Sequence, residues 1–431
     1  MICENVTRGA NGTLCFGGSN VDALAKKYGS PLYIMDEARI RSNCRIYMRA
    51  MCDFFGENSL PLYAGKAAAF KEIYRIMKDE GMGIDVVSSG EIYTAYSTGF
   101  PMERAYFHSN NKTDEDIKYA IECGIGHFVV DNVEELTAID QIAAAMGRVQ
   151  PILLRLTPGI DPHTYEAVST GKVDSKFGSA IETGQASEIV SVALGCLHIR
   201  LDGFHCHVGS QVFDSDVFLR ASEIMLDFIA DIRQKFGYIA QELDLGGGYG
   251  VRYVESDPAI DISDNIHQVA EFIHRKCETL HIPEPAIRLE PGRSIVADAG
   301  MTVYTVGTVK KIPGYKNYVS VDGGMTDNPR FALYKSSYTV LPVDNSDGPE
   351  MECSVVGRCC ESGDIIQEHV TLPANIHRGA RIAVLTTGAY NYAMASNYNR
   401  IARLPIVMVC NGTDRLVVRR ESMEDLVRND I

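Results

Sequence analysis

Short apolar segments alternate with longer amphipathic segments between residues 59 and 290. The short segments are typical of buried strands, and the longer ones have the three-to-four-residue apolar period of a helix. The predicted strands are Pro61–Lys66, Ile84–Ser88, Ala105–Asn110, His127–Asp131, Pro151–Leu156, Ile199–His207, Glu242–Leu245 and Ala286–Glu290. The clearest helices between them are predicted over Ala69–Glu80, Thr113–Cys123, Val133–Met146 and Asp214–Lys235.

This repetition of strand–helix units predicts an α/β fold, a closed (β/α)8 barrel of the TIM type. An open doubly wound sheet is the main alternative. After Pro291 the helical period fades, and β-rich segments separated by Gly, Pro, Asn and Asp predict a second, mostly antiparallel β-domain. Pro31–Met35 would be one strand too many for the barrel. We therefore expect a barrel over 36–294 and a discontinuous β-domain made of 1–35 and 295–431.

Composition narrows the choice of partners. The 431 residues carry a net charge of −15, which repels nucleic acid and anionic membranes at long range. The 12 cysteines show no CxxC spacing and are typical of free thiols in a reducing compartment. No apolar segment has the length of a signal peptide or a membrane span, so we expect a cytoplasmic protein.

Candidate chemistry is expected at the C-terminal ends of the barrel strands, where the βα loops converge. The polar groups there are Lys66, Asp85 with Ser88 and Ser89, His108 with Asn110, Asp131, Arg155, His207, Gly246–Gly248 and Glu290. A lone lysine at a strand end usually extends into water. In a barrel mouth, however, partial desolvation lowers the pKa of a lysine, and the neutral amine of Lys66 could form a Schiff base with a carbonyl compound.

A glycine-rich segment, Gly246–Gly250, follows the seventh strand. It does not match the dinucleotide pattern GxGxxG, because residue 251 is Val. Together with Pro291-Gly292-Arg293 after the eighth strand, it matches the place where barrels often bind phosphate. Arg293 or Ser210 could add a charge or a hydroxyl to that site.

Glu290 closes the eighth strand and has two interpretations. It could form an ion pair with Arg293, or it could face a cofactor ring nitrogen, keep that nitrogen protonated and make the ring an electron acceptor. Of His205 and His207, we expect one to enter the barrel mouth and the other to pack outside. A zinc site is disfavoured because these histidines and Cys206 cannot all converge, so no metal is expected. Lysine, phosphate cradle, carboxylate and histidine together describe a pyridoxal phosphate site.

At this point the chain resembles the fold-type III pyridoxal-phosphate decarboxylases. The similarity extends from about Pro31 to Pro405. It rests on many ordered motifs: Tyr63-Ala64-Gly65-Lys66-Ala67, Ser175-Lys176-Phe177-Gly178, His205-Cys206-His207-Val208-Gly209-Ser210-Gln211, Gly246-Gly247-Gly248, Glu290-Pro291-Gly292-Arg293, Asp322-Gly323-Gly324-Met325, Cys360-Glu361-Ser362-Gly363-Asp364, Gly388-Ala389-Tyr390 and Met394-Ala395-Ser396-Asn397-Tyr398-Asn399.

The resemblance implies a role for individual residues. Lys66 would hold pyridoxal 5'-phosphate covalently, His207 would stack on its ring, and Cys360 would protonate the α-carbon after CO2 leaves. The residues implied around the cofactor are Lys66, Asp85, His207, Ser210, Gly247, Gly248, Glu290, Gly292, Arg293 and Tyr390. Those implied in substrate binding are Arg293, Arg330, Tyr334, Glu361 and Tyr390. Cys360 and Glu361 would come from a second subunit, so the resemblance implies a homodimer with a shared active site. The preceding Cys359 is a departure from the usual apolar pair, so the assignment of Cys360 rests on motif register.

The resemblance also narrows the substrate. Meso-diaminopimelate has an ammonium and a carboxylate at its distal end, which Glu361 and the Arg330–Arg293 pair could bind. We therefore expect decarboxylation of meso-2,6-diaminopimelate to L-lysine and CO2. The alternatives are a related decarboxylase acting on ornithine, lysine or carboxynorspermidine, a racemase, or a non-catalytic regulatory homologue. The last would be expected to lose Lys66 or Cys360, and both are present.

Overall fold

The computed structural model describes residues 2–160, 175–344 and 348–431. As far as they are described, these residues form two compact units. The β unit consists of Met1–Asn43, Val251–Pro258 and Arg293–Ile431, and the barrel unit consists of Cys44–Gly250 and Ala259–Gly292. In the described part of the chain, no helix combines the length and the apolar character that crossing a bilayer requires.

The N-terminal part of the chain starts in the β unit. Its elements are β1 (Val6–Arg8), β2 (Leu14–Phe16), β3 (Ser19–Asn20), α1 (Val21–Tyr28), β4 (Leu32–Asp36) and α2 (Glu37–Phe55). The first three strands form a small antiparallel sheet. Helix α1 begins after Asn20, whose side chain accepts a hydrogen bond from the backbone N–H of Ala23, a common way to satisfy a helix N-terminus.

The barrel unit alternates strands and helices. Its elements are β5 (Leu60–Ala64), α3 (Lys71–Asp79), β6 (Gly83–Val86), α4 (Ser89–Tyr96), β7 (Ala105–Phe107), α5 (Asp114–Glu122), β8 (His127–Val130), α6 (Val133–Ala145), β9 (Gln150–Thr157), β10 (Ser179–Ala180), α7 (Gln185–Gly195), β11 (Ile199–His205), α8 (Ser215–Phe236), β12 (Glu242–Asp244), α9 (Ile262–Leu280) and β13 (Ala286–Leu289). Each of the eight strands predicted for the barrel overlaps one of these strands.

Closure of the sheet decides between the two predicted architectures. The strands pair in parallel from β5 through β6, β7, β8, β9, β11 and β12 to β13. Strand β13 then pairs with β5, with Arg288 opposite Leu60 and Leu289 opposite Pro61. The predicted (β/α)8 barrel is therefore confirmed, and the open-sheet alternative is wrong. A buried apolar cluster contains Leu62, Tyr106, Val129 and Leu153, from β5, β7, β8 and β9.

The remainder of the chain completes the β unit. Its elements are α10 (Arg293–Val296), β14 (Gly300–Ile312), β15 (Lys316–Val321), α11 (Arg330–Tyr334), β16 (Val340–Pro342), β17 (Glu350–Val356), β18 (Ile365–Pro373), β19 (Arg381–Leu385), β20 (Ile406–Cys410), β21 (Thr413–Val418) and α12 (Met423–Val427). The long strand β14 pairs antiparallel with β4, β15 and β19. The early strand β4 thus lies in the sheet of the late segments, which confirms a mostly antiparallel β-domain built from both chain ends.

Candidate active site

Four predicted site residues lie where barrel strands end. Lys66 lies in the single helical turn Gly65–Ala67 directly after β5, and its side chain is exposed. Asp85 is buried within β6, His207 is half-buried two residues after β11, and Glu290 is buried directly after β13. Because the strands are parallel and closed, their C-terminal ends gather these groups at one end of the barrel.

Glu290 is at the centre of this group. Its Oε1 lies 2.9 Å from His108 Nε2 and 3.2 Å from His205 Nε2. Burial acts to raise the pKa of Glu290, but His108 and His205 prevail and hold it well below the usual range. Burial lowers the pKa of His205 to about 4, so this imidazole is neutral at neutral pH. Glu290 is therefore a buried carboxylate whose ion-pair partners in the described residues are imidazoles.

Two further carboxyl groups surround Glu290. Asp244 Oδ1 accepts a hydrogen bond of 2.8 Å from the N–H of Gly246, and burial together with the charge of Glu290 raises the pKa of Asp244 well above its usual value. Asp85 lies 3.8 Å from His108 Nε2, and burial raises the pKa of Asp85 as well. Four groups of this centre have ligand atoms within 4.8 Å of one another: His108, His205, Asp244 and Glu290. The sequence-based expectation of no metal stays a prediction.

The expectation that one of the two histidines packs outside the barrel is wrong. His205 is fully buried against Glu290, and His207 is close enough to Lys66 and Glu290 for their charges to act on it. Burial, and then the charge of Lys66, lower the pKa of His207 well below its usual value. The physical reason is that residues two apart along a strand lie on the same face.

The glycine loop after β12 packs directly on these groups. A Cβ at Gly247 would lie 2.1 Å from the carbonyl oxygen of Glu290, and one at Gly248 would lie 2.3 Å from the carbonyl oxygen of Gly209. Gly246 and Gly248 also have positive φ values of 71° and 129°. Only glycine fits such a loop, because any side chain would collide with main-chain atoms.

These features fit pyridoxal phosphate. Lys66 offers an amine, Glu290 a buried carboxylate for a protonated ring nitrogen, and Gly246–Gly248 backbone groups without side chains for a phosphate. In addition, Asp85 Oδ1 is buried and has no hydrogen-bond partner in the described residues. A buried polar atom of this kind indicates a missing donor.

In the β unit, three predicted residues, Arg293, Arg330 and Tyr390, come together with two tyrosines that were not predicted, Tyr253 and Tyr338. We name these five residues the arginine–tyrosine cluster. The Cζ atoms of Arg293 and Arg330 lie 4.7 and 6.0 Å from the centre of the Tyr390 ring. Arg293 Nη1 donates to the hydroxyl of Tyr253 at 2.7 Å, and Arg330 Nη1 donates to that of Tyr338 at 2.9 Å. Both arginines are buried, with 7% and 6% of their surface exposed.

The other predicted residues of the β unit lie elsewhere. Cys360 and Glu361 are exposed, and the N–H of Cys360 donates to Asn399 Oδ1 at 2.8 Å. Cys359 is half-buried, and burial raises its pKa to about 11. Within the described residues, neither Tyr334, at the end of α11, nor Cys360 or Glu361 has a hydrogen bond, ion pair or ring contact with Arg330.

Three residues of these groups were not predicted: Asp244, Tyr253 and Tyr338. Asp244 ends the short strand β12 and is a polar residue between two leucines, which is a usable signal. The two tyrosines lie in loops without a recognisable pattern, and no sequence signal identifies them.

Comparison with known proteins gives a family match over residues 37–297, described as the pyridoxal-binding domain of pyridoxal-dependent decarboxylases. The diaminopimelate decarboxylase of Bacillus subtilis is 40% identical over 98% of this chain and 96% of its own length. That of Halalkalibacterium halodurans is 42% identical over 97% and 95%. The structure of the M. jannaschii diaminopimelate decarboxylase in complex with L-lysine covers 100% of this chain and 98% of its own, with a TM-score of 0.93 and 31% identity.

Proposed function

Because the chain belongs to the pyridoxal-dependent decarboxylases, and among them to the diaminopimelate decarboxylases, we propose that it converts meso-2,6-diaminopimelate to L-lysine and CO2. This carboxy-lyase reaction is the last step of lysine biosynthesis, and the cofactor is pyridoxal 5'-phosphate. The family match over residues 37–297 supports 36–294 as the segment that contains the cofactor-binding barrel, with 1–35 and 295–431 as the second domain. The compact barrel unit within that segment is Cys44–Gly250 and Ala259–Gly292.

We assign the cofactor-binding roles to residues of the barrel. When bound, pyridoxal phosphate supplies an electron-accepting ring that stabilises negative charge on the α-carbon of the substrate. Lys66 would hold the aldehyde carbon of the cofactor through Nζ and would give up that place to the amine of the substrate. Glu290, held as a carboxylate, would keep a proton on the ring nitrogen of the cofactor. The neutral ring of His207 would lie against the cofactor ring. The other residues that would hold the cofactor are Asp85, Ser210, Gly247, Gly248, Gly292, Arg293 and Tyr390.

The proton that replaces CO2 is assigned to Cys360. Cys360 and the neighbouring Glu361 are exposed in this chain, which supports their contribution to the active site of a second copy. We therefore propose a homodimer with a shared active site. The 12 cysteines, all within the described residues, are free thiols, which supports a reducing compartment such as the cytoplasm.

The choice of substrate rests on Arg330. This guanidinium is buried, donates to the phenol of Tyr338, and has no carboxylate within ion-pair distance in the described residues. A buried cation without an anionic partner favours a ligand that brings a carboxylate. Diaminopimelate has a distal carboxylate, whereas ornithine and lysine would place an uncancelled ammonium there. Arg293, Tyr334, Glu361 and Tyr390 are the other proposed substrate-binding residues.

The proposal is tested with the purified holoenzyme and a panel of amino acids, by measuring released CO2 and identifying the product. We expect L-lysine from meso-diaminopimelate, with kcat/KM at least about 100-fold above that for L-ornithine, because unpaired buried polar groups give large discrimination. Comparable values for the two substrates would contradict the substrate assignment. An amino acid racemised without CO2 release would contradict the reaction class.

A further inference from the structure

The arginine–tyrosine cluster of the β unit brings two like charges together in a buried place. Arg330 Cζ lies 5.0 Å and Arg293 Cζ lies 5.8 Å from the centre of the Tyr253 ring. In the described residues, the hydrogen bond of Arg330 goes to a neutral phenol, and no aspartate or glutamate is in ion-pair reach of it. Burial of two guanidiniums is costly unless each is held by polar partners.

Tyr253 is fixed more firmly than its loop position suggests. Its N–H donates to Asp257 Oδ2 at 2.8 Å, and its carbonyl oxygen accepts from Thr339 N at 3.1 Å and Thr339 Oγ1 at 2.9 Å. Its ring packs edge-on against Tyr338, with centroids 5.4 Å apart and an interplanar angle of 89°. The place of the Tyr253 hydroxyl is therefore set by main-chain hydrogen bonds and by ring packing.

The phenol of Tyr253 affects the charge of the neighbouring Arg293 guanidinium differently from a carboxylate at the same position. The hydroxyl of Tyr253 accepts a hydrogen bond from Arg293 Nη1 at 2.7 Å and so fixes the guanidinium. A neutral acceptor does this without cancelling the positive charge, whereas an aspartate would form an ion pair and use it up. The second arginine is held in the same way, by the hydroxyl of Tyr338, which donates to Asn391 Oδ1 at 3.3 Å.

We propose that Tyr253 is a positioning residue for carboxylate recognition: its hydroxyl holds Arg293, and its ring packs on Tyr338, which holds Arg330, the guanidinium that has no carboxylate partner in the described residues. The inference rests on the proposed function, because it takes the ligand of the cluster to be an amino acid with a second carboxylate. Both guanidiniums act on this hydroxyl: although burial raises the pKa of Tyr253, Arg293 and Arg330 prevail and lower it.

The test uses the holoenzyme and the dicarboxylate pimelate, which lacks both amino groups of diaminopimelate. Binding of pimelate is measured by calorimetry for the wild type, Tyr253→Phe and the control Tyr33→Phe. Tyr33 is also buried in the β unit, and its hydroxyl donates to the carbonyl oxygen of Asp327 at 2.5 Å and not to a residue of the cluster. We expect Tyr253→Phe to bind pimelate about 10-fold more weakly, as for the loss of a hydrogen bond to a charged group, and Tyr33→Phe to bind it like the wild type.

Kinetics separate positioning from a structural role. In Tyr253→Phe we expect KM for diaminopimelate to rise about 10-fold with a much smaller change in kcat, because an ordering contact is lost and not a reacting group. Unchanged pimelate binding and KM in Tyr253→Phe would overturn the proposal, as would an equal loss in Tyr33→Phe. If Tyr253→Phe does not fold, Tyr338→Phe removes the matching hydroxyl from Arg330, and unchanged pimelate binding there would overturn the proposal too.

The same experiment distinguishes failure of this inference from failure of the proposed function. A wild type that binds pimelate but releases no CO2 from diaminopimelate contradicts the proposed function and leaves the role of Tyr253 supported if Tyr253→Phe binds pimelate more weakly. A wild type that releases CO2 from diaminopimelate while Tyr253→Phe is unaltered contradicts only the role of Tyr253.

Discussion

The Glu290 centre of the barrel unit and the arginine–tyrosine cluster of the β unit bury charge of opposite sign. Around Glu290, three carboxyl groups share two imidazoles, and the ion-pair partners of Glu290 in the described residues are both histidines. In the cluster, two guanidiniums share phenols, and Arg330 has no carboxylate partner in the same residues. Among the described residues, Glu290 thus pairs with imidazoles, and Arg330 is held by a phenol and not by a carboxylate.

The difference indicates what each region binds. Buried charge is costly when nothing opposes it, so a region that retains such charge is suited to a ligand of the opposite sign. The barrel centre suits a cation such as a protonated ring nitrogen, and the cluster suits an anion such as a carboxylate. Under the proposed function, barrel residues determine the chemistry and cluster residues determine which amino acid is accepted.

The largest expected effect on activity comes from removing the amine of Lys66. Lys66→Ala should lower kcat by about 10⁴-fold or more, as for other residues that form covalent intermediates. It should also abolish the visible absorption band of the bound cofactor. Borohydride reduction followed by mass spectrometry should attach pyridoxal phosphate to Lys66 in the wild type and to no residue in the variant. A variant that retains activity and the band would show that the chemistry does not depend on the barrel amine.

Removal of the Arg330 guanidinium from the arginine–tyrosine cluster should alter substrate selectivity instead. Arg330→Met should raise KM for diaminopimelate about 10- to 100-fold, the value of a hydrogen bond to a charged group. It should lower the preference over L-ornithine and leave the cofactor absorption band unchanged. Steady-state kinetics on both substrates and an absorption spectrum give the result. If Arg330→Met loses the cofactor absorption band but keeps the preference for diaminopimelate over L-ornithine, the proposal that cluster residues determine substrate choice is wrong.

A smaller effect, on the pH dependence of stability, is expected at Glu91, a further carboxyl group of the barrel unit. Burial raises the pKa of Glu91 from 4.5 to about 7, although its Oε2 accepts from the N–H of Val87 at 2.8 Å. The pKa of Glu91 is higher in the folded protein than in the unfolded chain. The contribution of Glu91 to the free energy of unfolding is therefore fully present below about pH 4.5 and is lost as pH rises through 7. The pKa difference corresponds to at most about 3 kcal/mol.

Glu91→Gln keeps an acceptor for Val87 but cannot ionise. Urea midpoints at pH 5 and pH 8 should therefore show the wild type losing stability relative to Glu91→Gln, while Glu188→Gln, at an exposed position of α7, should follow the wild type. An equal pH response in wild type and Glu91→Gln would mean that the barrel does not hold this proton.

The barrel and its strand ends could be predicted because they follow a periodic pattern. Lys66, Asp85 and Glu290 each lie in or directly after an apolar strand, and parallel closed strands bring their ends together whatever the loops do. The sequence predicts that β4 belongs to the second sheet, because eight other strands already complete the barrel. The pairing of β4 with β14 confirms this prediction.

The rest depends on tertiary placement that has no local signature. Residues 251–258 lie in the chain between two parts of the barrel unit, yet they belong to the β unit. Tyr253 therefore joins Arg293 and Arg330 through contacts that no periodicity announces. The prediction that His205, the last residue of β11, and His207 point to opposite sides is wrong, because residues two apart along a strand share a face. The roles of Tyr334, Cys360 and Glu361 stay predictions.

The close packing of main-chain atoms at Gly247 limits which analogues of the cofactor the protein can accept. The main chain of the loop lies against the carbonyl oxygen of Glu290, and the N–H of Glu290 donates to the carbonyl oxygen of Gly246 at 2.9 Å. Backbone atoms, and not adjustable rotamers, thus fix the spacing between the glycine loop and the main chain of residue 290. Vitamin analogues with a lengthened arm to the phosphate should therefore be rejected, because no rotamer change can move these two elements apart.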